Sequence, residues 1–254
     1  MDKITRITLI GIKKITLYRE YLAISILKNI VYVFIQYTLW LNILASQHQS
    51  EKLPNIITYF LINQIILSFY PNASGIISDE IREGTIIHRL CKPISLEVQY
   101  FFESVGSSIA KFAVLGSLNI ILIVVFSKQF FPQYLVQLIL LIFIGYLLHF
   151  VLNLLFGSLA FFTQTIWGIE SLKEALMTIF SGAIFPLSYY PEWSKRIIDL
   201  FPFSYTMGKI SEFYISGMYF KDIVIVQLIY IVIIYIIYKM VIKFGLKKII
   251  INGG

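Results

Sequence analysis

The 254 residues are 58% hydrophobic and only 14% charged, where soluble domains run nearer about 25% charged. Apolar runs long enough to cross a bilayer recur throughout, which predicts an all-α polytopic membrane protein and leaves no room for a separate soluble domain. The formal net charge of +7 does not point to nucleic acid, because Lys and Arg cluster at the ends of apolar runs, as orientation signals do.

Met1 to Glu20 carries Lys3, Arg6, Lys13, Lys14 and Arg19 among Ile and Leu. Ile4, Ile7, Gly11, Ile15 and Tyr18 share one helical face, with most of the cations on another, so the segment reads as a helix lying in the inner interface or as a basic leader without structure. A cleavable signal peptide is not expected. The first apolar run starts only around Tyr21, more spans follow, and Ile43 fits poorly before a cleavage at Ala45.

Six spans are predicted, at about 21–44, 55–77, 98–126, 134–162, 175–189 and 223–238. Lys28 lies near the start of the first and can snorkel back to the basic side. The second contains Asn63, Gln64, Ser68, Pro71 and Asn72. In the third, Gly106, Ala110, Ala113 and Ser117 form a small-residue stripe that admits a close helix. Tight turns are expected at Lys128 to Gln133 and near Gln164. Two segments are too polar to span. Ile76 to Ser95 holds Asp79, Glu80, Arg82, Glu83, Arg89 and Lys92; a helix fits its first half and Pro93 stops it. Residues 190–222 form an outer segment of one or two short helices, with Trp193, Ile197, Ile198 and Phe201 at helical spacing, at the outer interface or dipping back into the protein.

With both termini inside, as six spans require, the inner segments hold thirteen Lys and Arg and the outer segments six. That asymmetry places both termini and Ile76 to Ser95 in the cytoplasm. The lone Cys91 forms no internal disulfide and lies in a reducing compartment.

Catalytic motifs are missing. His48, His88 and His149 lack metal-ligand spacing, and no HExxH or nucleophile elbow occurs, so no metal site is expected. The only Gly-Lys pair, Gly208-Lys209, has Phe203 where a phosphate-binding loop needs glycine. If transport runs on ATP, hydrolysis takes place on another chain. Lys111 is the costliest intramembrane residue, at about 3 kcal/mol if centred in lipid, and should face a partner or an aqueous path. His149 and Asn153 share a face of span four; they and Asn63, Gln64 and Ser68 serve either interhelical hydrogen bonds or a substrate path. There is no run of intramembrane carboxylates, which weakens a proton-coupled carrier.

Two stretches carry a resemblance. DEIREGTIIHRLCKPIS (Asp79 to Ser95) is similar to the cytoplasmic segment after span two in ABC-2-type transporter permeases, where an acidic–Gly–Thr pattern leads to Leu and then Pro-Ile/Leu-Ser. FSGAIFPLSYYPEWSKRIIDLFPFSY (Phe180 to Tyr205) resembles that family's stretch after span five, with Ser-Gly-Ala, Pro-Leu, Pro-x-Trp and a later Pro-Phe. Order, spacing and layout agree across essentially the whole chain.

The resemblance implies a permease subunit of an ATP-driven exporter in a bacterial cell membrane, without a catalytic site or cofactor of its own. ATP and Mg would be bound by a partner ABC ATPase, and a second permease subunit, identical or related, would complete the pathway within membrane lipid. By position it assigns Asp79, Glu80, Arg82, Glu83, Gly84, Thr85, Arg89, Leu90 and Pro93 to a coupling helix in an ATPase groove. It assigns Glu170 to Glu174 to a second cytoplasmic contact. Pro186, Pro191, Trp193, Pro202 and Phe203 belong to outer helices that cap the pathway. The alternatives are a secondary transporter driven by an ion gradient without an ATPase, or an intramembrane enzyme built around His149 and a nearby Ser. For the charged turn the alternative is a solvated loop, and for the outer segment a passive surface loop.

Overall fold

The computed structural model describes residues 3–17, 19–127, 132–163 and 166–252. Tyr18, most of the turn at Lys128 to Gln133 and the turn near Gln164 lie outside the described residues. Among the described residues the chain is helical, without a strand. In order the helices are α1 (Lys3–Leu17), α2 (Arg19–Ser46), α3 (Leu53–Phe69), α4 (Ala73–Arg82), α5 (Ile87–Leu90), α6 (Leu96–Lys111), α7 (Ser117–Leu122), α8 (Leu135–Ser158), α9 (Ile166–Phe180), α10 (Glu192–Asp199), α11 (Gly208–Ser216) and α12 (Phe220–Asn252). Two π-helical stretches, Phe112–Gly116 and Ile123–Ser127, join and extend α6 and α7 into one rod.

Among the described residues, five helical runs are long and apolar enough to cross a bilayer: Leu22–Ser46, Ser50–Arg82, Leu96–Phe126, Pro132–Phe161 and Phe220–Lys247. Four match the predicted spans one to four, and the last runs well past the expected 223–238. Span two is not a continuous rod. Pro71 has no backbone N–H, and helix gives way at Tyr70 (ψ 142) before α4 starts at Ala73.

The predicted span at 175–189 is corrected. Its helix is α9, which starts at Ile166 and ends at Phe180. Fifteen residues rise only about 22 Å, short of the roughly 30 Å hydrocarbon layer. Beyond Phe180 the chain turns through Gly182, whose φ of +80° lies in the left-handed region, where the Ser-Gly-Ala signature places its glycine. Apolar composition through Ile184, Phe185 and Leu187 therefore reads as a span, although the backbone there is not α-helical and holds only a short 3-10 turn at Leu187–Tyr189.

The core forms where α3, α8 and α11 meet, around Leu61, Ile66, Leu141, Ile210 and Phe213. α11 enters the bundle from the outer segment, so residues 190–222 dip back into the protein.

α1 is a helix, and it lies against α6. A Cβ on Gly11 would come within 2.1 Å of the Glu103 carbonyl oxygen, and one on Gly106 within 2.0 Å of the Thr8 carbonyl oxygen. The two backbones touch, and only glycine permits that separation. Gly106 of the small-residue stripe thus has α1 as its partner.

Gly106→Ala is expected to force α1 off α6, an overpacking cost of about 1–3 kcal/mol read as a lower Tm in detergent and faster proteolysis within α1. Gly75→Ala is the control. Nothing lies within 4 Å of its added Cβ, and it should raise stability by about 0.5–1 kcal/mol through helix propensity.

Candidate functional site

The polar turn between span two and α6 is not one helix. α4 ends at Arg82, Gly84 turns the chain at φ +73°, and α5 is a single turn closed before Cys91. No atom lies within 4 Å of a Cβ on Gly84. The glycine is required by the backbone angle and not by close approach. Ile86 is fully buried and anchors the turn, with Thr85 half-buried beside it and Pro93 exposed after α5.

Arg89 is the hub of this region. Its Nε and Nη2 donate to both oxygens of Glu80 at 2.7–3.0 Å, and Nη2 also donates to Glu103 Oε2 at 2.7 Å. The Tyr100 hydroxyl donates to Glu80 Oε2 at 2.7 Å, and the guanidinium lies 4.4 Å from the Tyr100 ring centre. Lys14 of α1 approaches Glu103 from the other side at 3.5 Å. Gln99 Nε2 donates to the carbonyls of Arg89 and Ile94. Burial alone would lower the Arg89 pKa; the hydrogen bonds and charges of Glu80 and Glu103 outweigh it and hold Arg89 above the usual guanidinium value.

Glu80 and Arg89 thus face inward, onto each other and α6, and are not free for a partner. Asp79, Arg82 and Glu83 are exposed, and Asp79 and Arg82 pair only weakly at 3.9 Å. Ile87 and Leu90 are exposed at 48% and 42%. The turn presents an apolar pair ringed by charge. Glu103 escaped sequence reasoning because its partners lie on other helices; a carboxylate in an apolar run was the available signal.

A second polar knot ties α9 to the start of α4. Lys173 is 7% exposed; its Nζ donates to Ser74 Oγ and, at 2.7 Å, to Glu170 Oε2. The Ser74 N–H donates to Asn153 Oδ1 at 3.1 Å, and Asn153 Nδ2 donates to the His149 carbonyl at 2.8 Å. His149 stacks on Tyr70 at 4.5 Å. Within the expected cytoplasmic contact at Glu170 to Glu174, Lys173 is therefore turned inward, whereas Glu174 is exposed.

The half of the bundle opposite the polar turn is built on broken helices. The Gly182 carbonyl accepts from the Tyr59 hydroxyl at 2.9 Å and Asn63 Nδ2 at 3.2 Å. The Ala183 carbonyl accepts from the Tyr32 hydroxyl, and the Ile184 carbonyl from Gln36 Nε2. The Gly208 N–H donates to the Ser181 carbonyl at 2.9 Å. Ser211 Oγ donates to Asn63 Oδ1, while Asn29 pairs with Gln64 and Ser68 bonds its own helix at Ile65. Lys111 is half-buried and makes no ion pair with a described residue.

After Pro186 and Pro191, α10 exposes Trp193 at 71%. The chain then passes Pro202 and drives Phe203 into a buried cluster that includes Leu148 and Leu152 of α8. Tyr70 donates to the Thr206 carbonyl and Gln227 to that of Tyr205, so the bottom of the outer segment meets the break in span two. Above it lies a cavity of about 970 Å³, lined by Tyr59, Tyr189, Glu192, Tyr205, Glu212 and Asp222 among others.

This architecture defines a polytopic all-α membrane protein with a polar turn on one side and a re-entrant outer segment on the other. Residues 48–253 match the family described as ABC-2 family transporter protein, and the chain belongs to that family. It is an ABC transporter permease by family. No curated protein and no solved structure matches it.

Arg89→Ala should leave Glu80 with only Tyr100 and Glu103 with only Lys14 and cost about 3 kcal/mol, seen as a lower Tm; Arg89→Lys should recover only part, lacking the fork. Tyr59→Phe and Asn63→Leu each leave the Gly182 carbonyl one donor. Their combination should destabilise by several kcal/mol and exceed the sum of the single changes in a double-mutant cycle.

Proposed function

We propose that the chain is the permease subunit of an ATP-driven exporter, coupled through residues 79–90 to a separate ABC ATPase. The observation that carries this reading is the two-sided turn. Its inner side is bolted to α6 through Arg89, while Ile87 and Leu90 stand outward beside Arg82 and Glu83. A rigid turn with an exposed apolar pair can seat in a groove and pass displacement into α4 and α6. Membership in the ABC-2 family supports the same partner.

In this reading ATP and Mg belong to the ATPase, and Asp79, Arg82, Glu83 and Leu90 form the contact. Glu80 and Arg89 hold the contact in shape. A second permease subunit, identical or related, completes the pathway, with α2, α3 and α9 as its walls. Both termini face the cytoplasm of a bacterial cell, as the Lys and Arg count favours, with α9 and the chain beyond Phe180 together making the additional crossing this requires. Pro186 to Phe203 caps the outer end above the 970 Å³ cavity.

Joint charge reversal, Arg82→Glu with Glu83→Arg, should leave the spans folded and uncouple ATP hydrolysis from transport in the reconstituted permease–ATPase complex. Unchanged ATPase retention and transport would overturn the assignment. Transport by the purified single chain on an ion gradient, indifferent to ATP, would favour the secondary-transporter alternative instead.

A further inference from the structure

A slot of about 530 Å³ runs between α3, the α6–α7 rod and α8. Every side chain that lines it is Ile, Leu, Val or Phe except the buried Tyr214, and no polar atom faces it. Ile65, Leu138 and Tyr214 form a buried floor. Val124, Ile139 and Phe143 form the rim, at 60%, 66% and 53% exposure, on helical runs long and apolar enough to span. The slot is elongated. Its walls extend from Phe112 to Val124 on the rod and from Leu135 to Phe143 on α8, about 18 and 12 Å at helical rise. Both π-helical stretches of the rod border it, at Phe112 and at Val124, and π turns recur at functional sites. It lies beside the first half of α8, whereas the far end of α8 meets α4 at Gly157.

We infer that this slot binds one acyl chain of a bilayer lipid, in the leaflet opposite the polar turn. Direction, chemistry and volume select that occupant. The slot follows the spans, as lipid chains do, so a chain can enter sideways through the exposed rim without leaving the hydrocarbon layer. Its walls offer water no hydrogen bond, and apolar cavities stay dry. A slot of this volume forfeits dispersion contacts along its whole length unless something apolar fills it. The volume falls within the range of small-molecule sites, which are likewise lined mainly by apolar side chains. A second copy related by a two-fold axis through the mouth would set slot against slot and fill neither. A flexible alkyl chain fits the length, the apolar wall and the opening toward lipid.

The test needs neither ATPase nor transport, so its failure would leave the exporter reading untouched. The full chain is reconstituted into phosphatidylcholine vesicles doped with a phosphatidylcholine that carries a photoactivatable diazirine on one acyl chain. After illumination, labelled residues are located by peptide mass spectrometry. Residues 112–124 and 135–143 should carry a several-fold excess of label over Phe34 and Ile35 of α2, which are comparably exposed but lie outside the slot. Val124→Trp combined with Ile139→Trp adds bulk at the mouth from both walls. Both positions are exposed, so the fold should survive with little change in Tm, while the excess should largely disappear and labelling of α2 stay unchanged. Label spread evenly over the slot and α2 overturns the proposal, and so does an excess that survives the paired substitution. A slot shielded from the lipid probe in a self-associated chain also overturns it, and would assign the face to a second copy.

Discussion

Backbone that leaves helical geometry within a membrane must find its hydrogen bonds inside the protein, because hydrocarbon offers none and each unsatisfied group costs several kcal/mol. Most of this structure follows from meeting that demand at three places: the break at Tyr70–Asn72, the chain after Phe180, and the turn at Ser204–Thr206. Side chains answer it. Tyr59 and Asn63 reach the Gly182 carbonyl, Tyr32 and Gln36 reach the next two, and Tyr70 and Gln227 reach the re-entrant turn. An interhelical hydrogen bond in a membrane is ordinarily worth about 1 kcal/mol. Here the comparison state is an orphaned carbonyl, so these bonds carry more weight than their number suggests.

A consequence is that α9 is pinned at both ends. Its inner end is held to Ser74 through Glu170 and Lys173, and the chain beyond its outer end is held to α3 through Gly182. α9 therefore bridges the two halves of span two across the proline break. Any movement of α4 relative to α3 is shared with α9, and hence with the outer segment that follows it.

At the polar turn, charge serves shape. Arg89 stands between Glu80 and Glu103, with Tyr100 beneath and Lys14 beyond, and joins four elements of the chain. The polar turn hides one set of charges and displays another. That division makes the segment stiff within the permease and leaves Ile87 and Leu90 exposed on its other side. In the same region α1 shows an analogous division, one face closed on α6 by glycine contacts and the other open with cations and apolar residues.

Composition and periodicity alone determined the all-α membrane class, the placement of four spans and the two polar segments that interrupt the apolar runs, because burial in lipid imposes long apolar runs that short-range patterns reveal. The paired motifs at Asp79 to Ser95 and Phe180 to Tyr205 pointed to the ABC-2 family. Tertiary structure decided which polar residues serve structure. Glu80, Arg89 and Lys173 read as surface charges, yet they turn inward, since their partners Glu103 and Ser74 lie on other helices and no spacing rule links them. It also decided that residues 181–189 are apolar but not α-helical. A run of Ile, Phe and Leu reads alike as helix or as shielded loop, and only the donors on α2 and α3 make the second form affordable there.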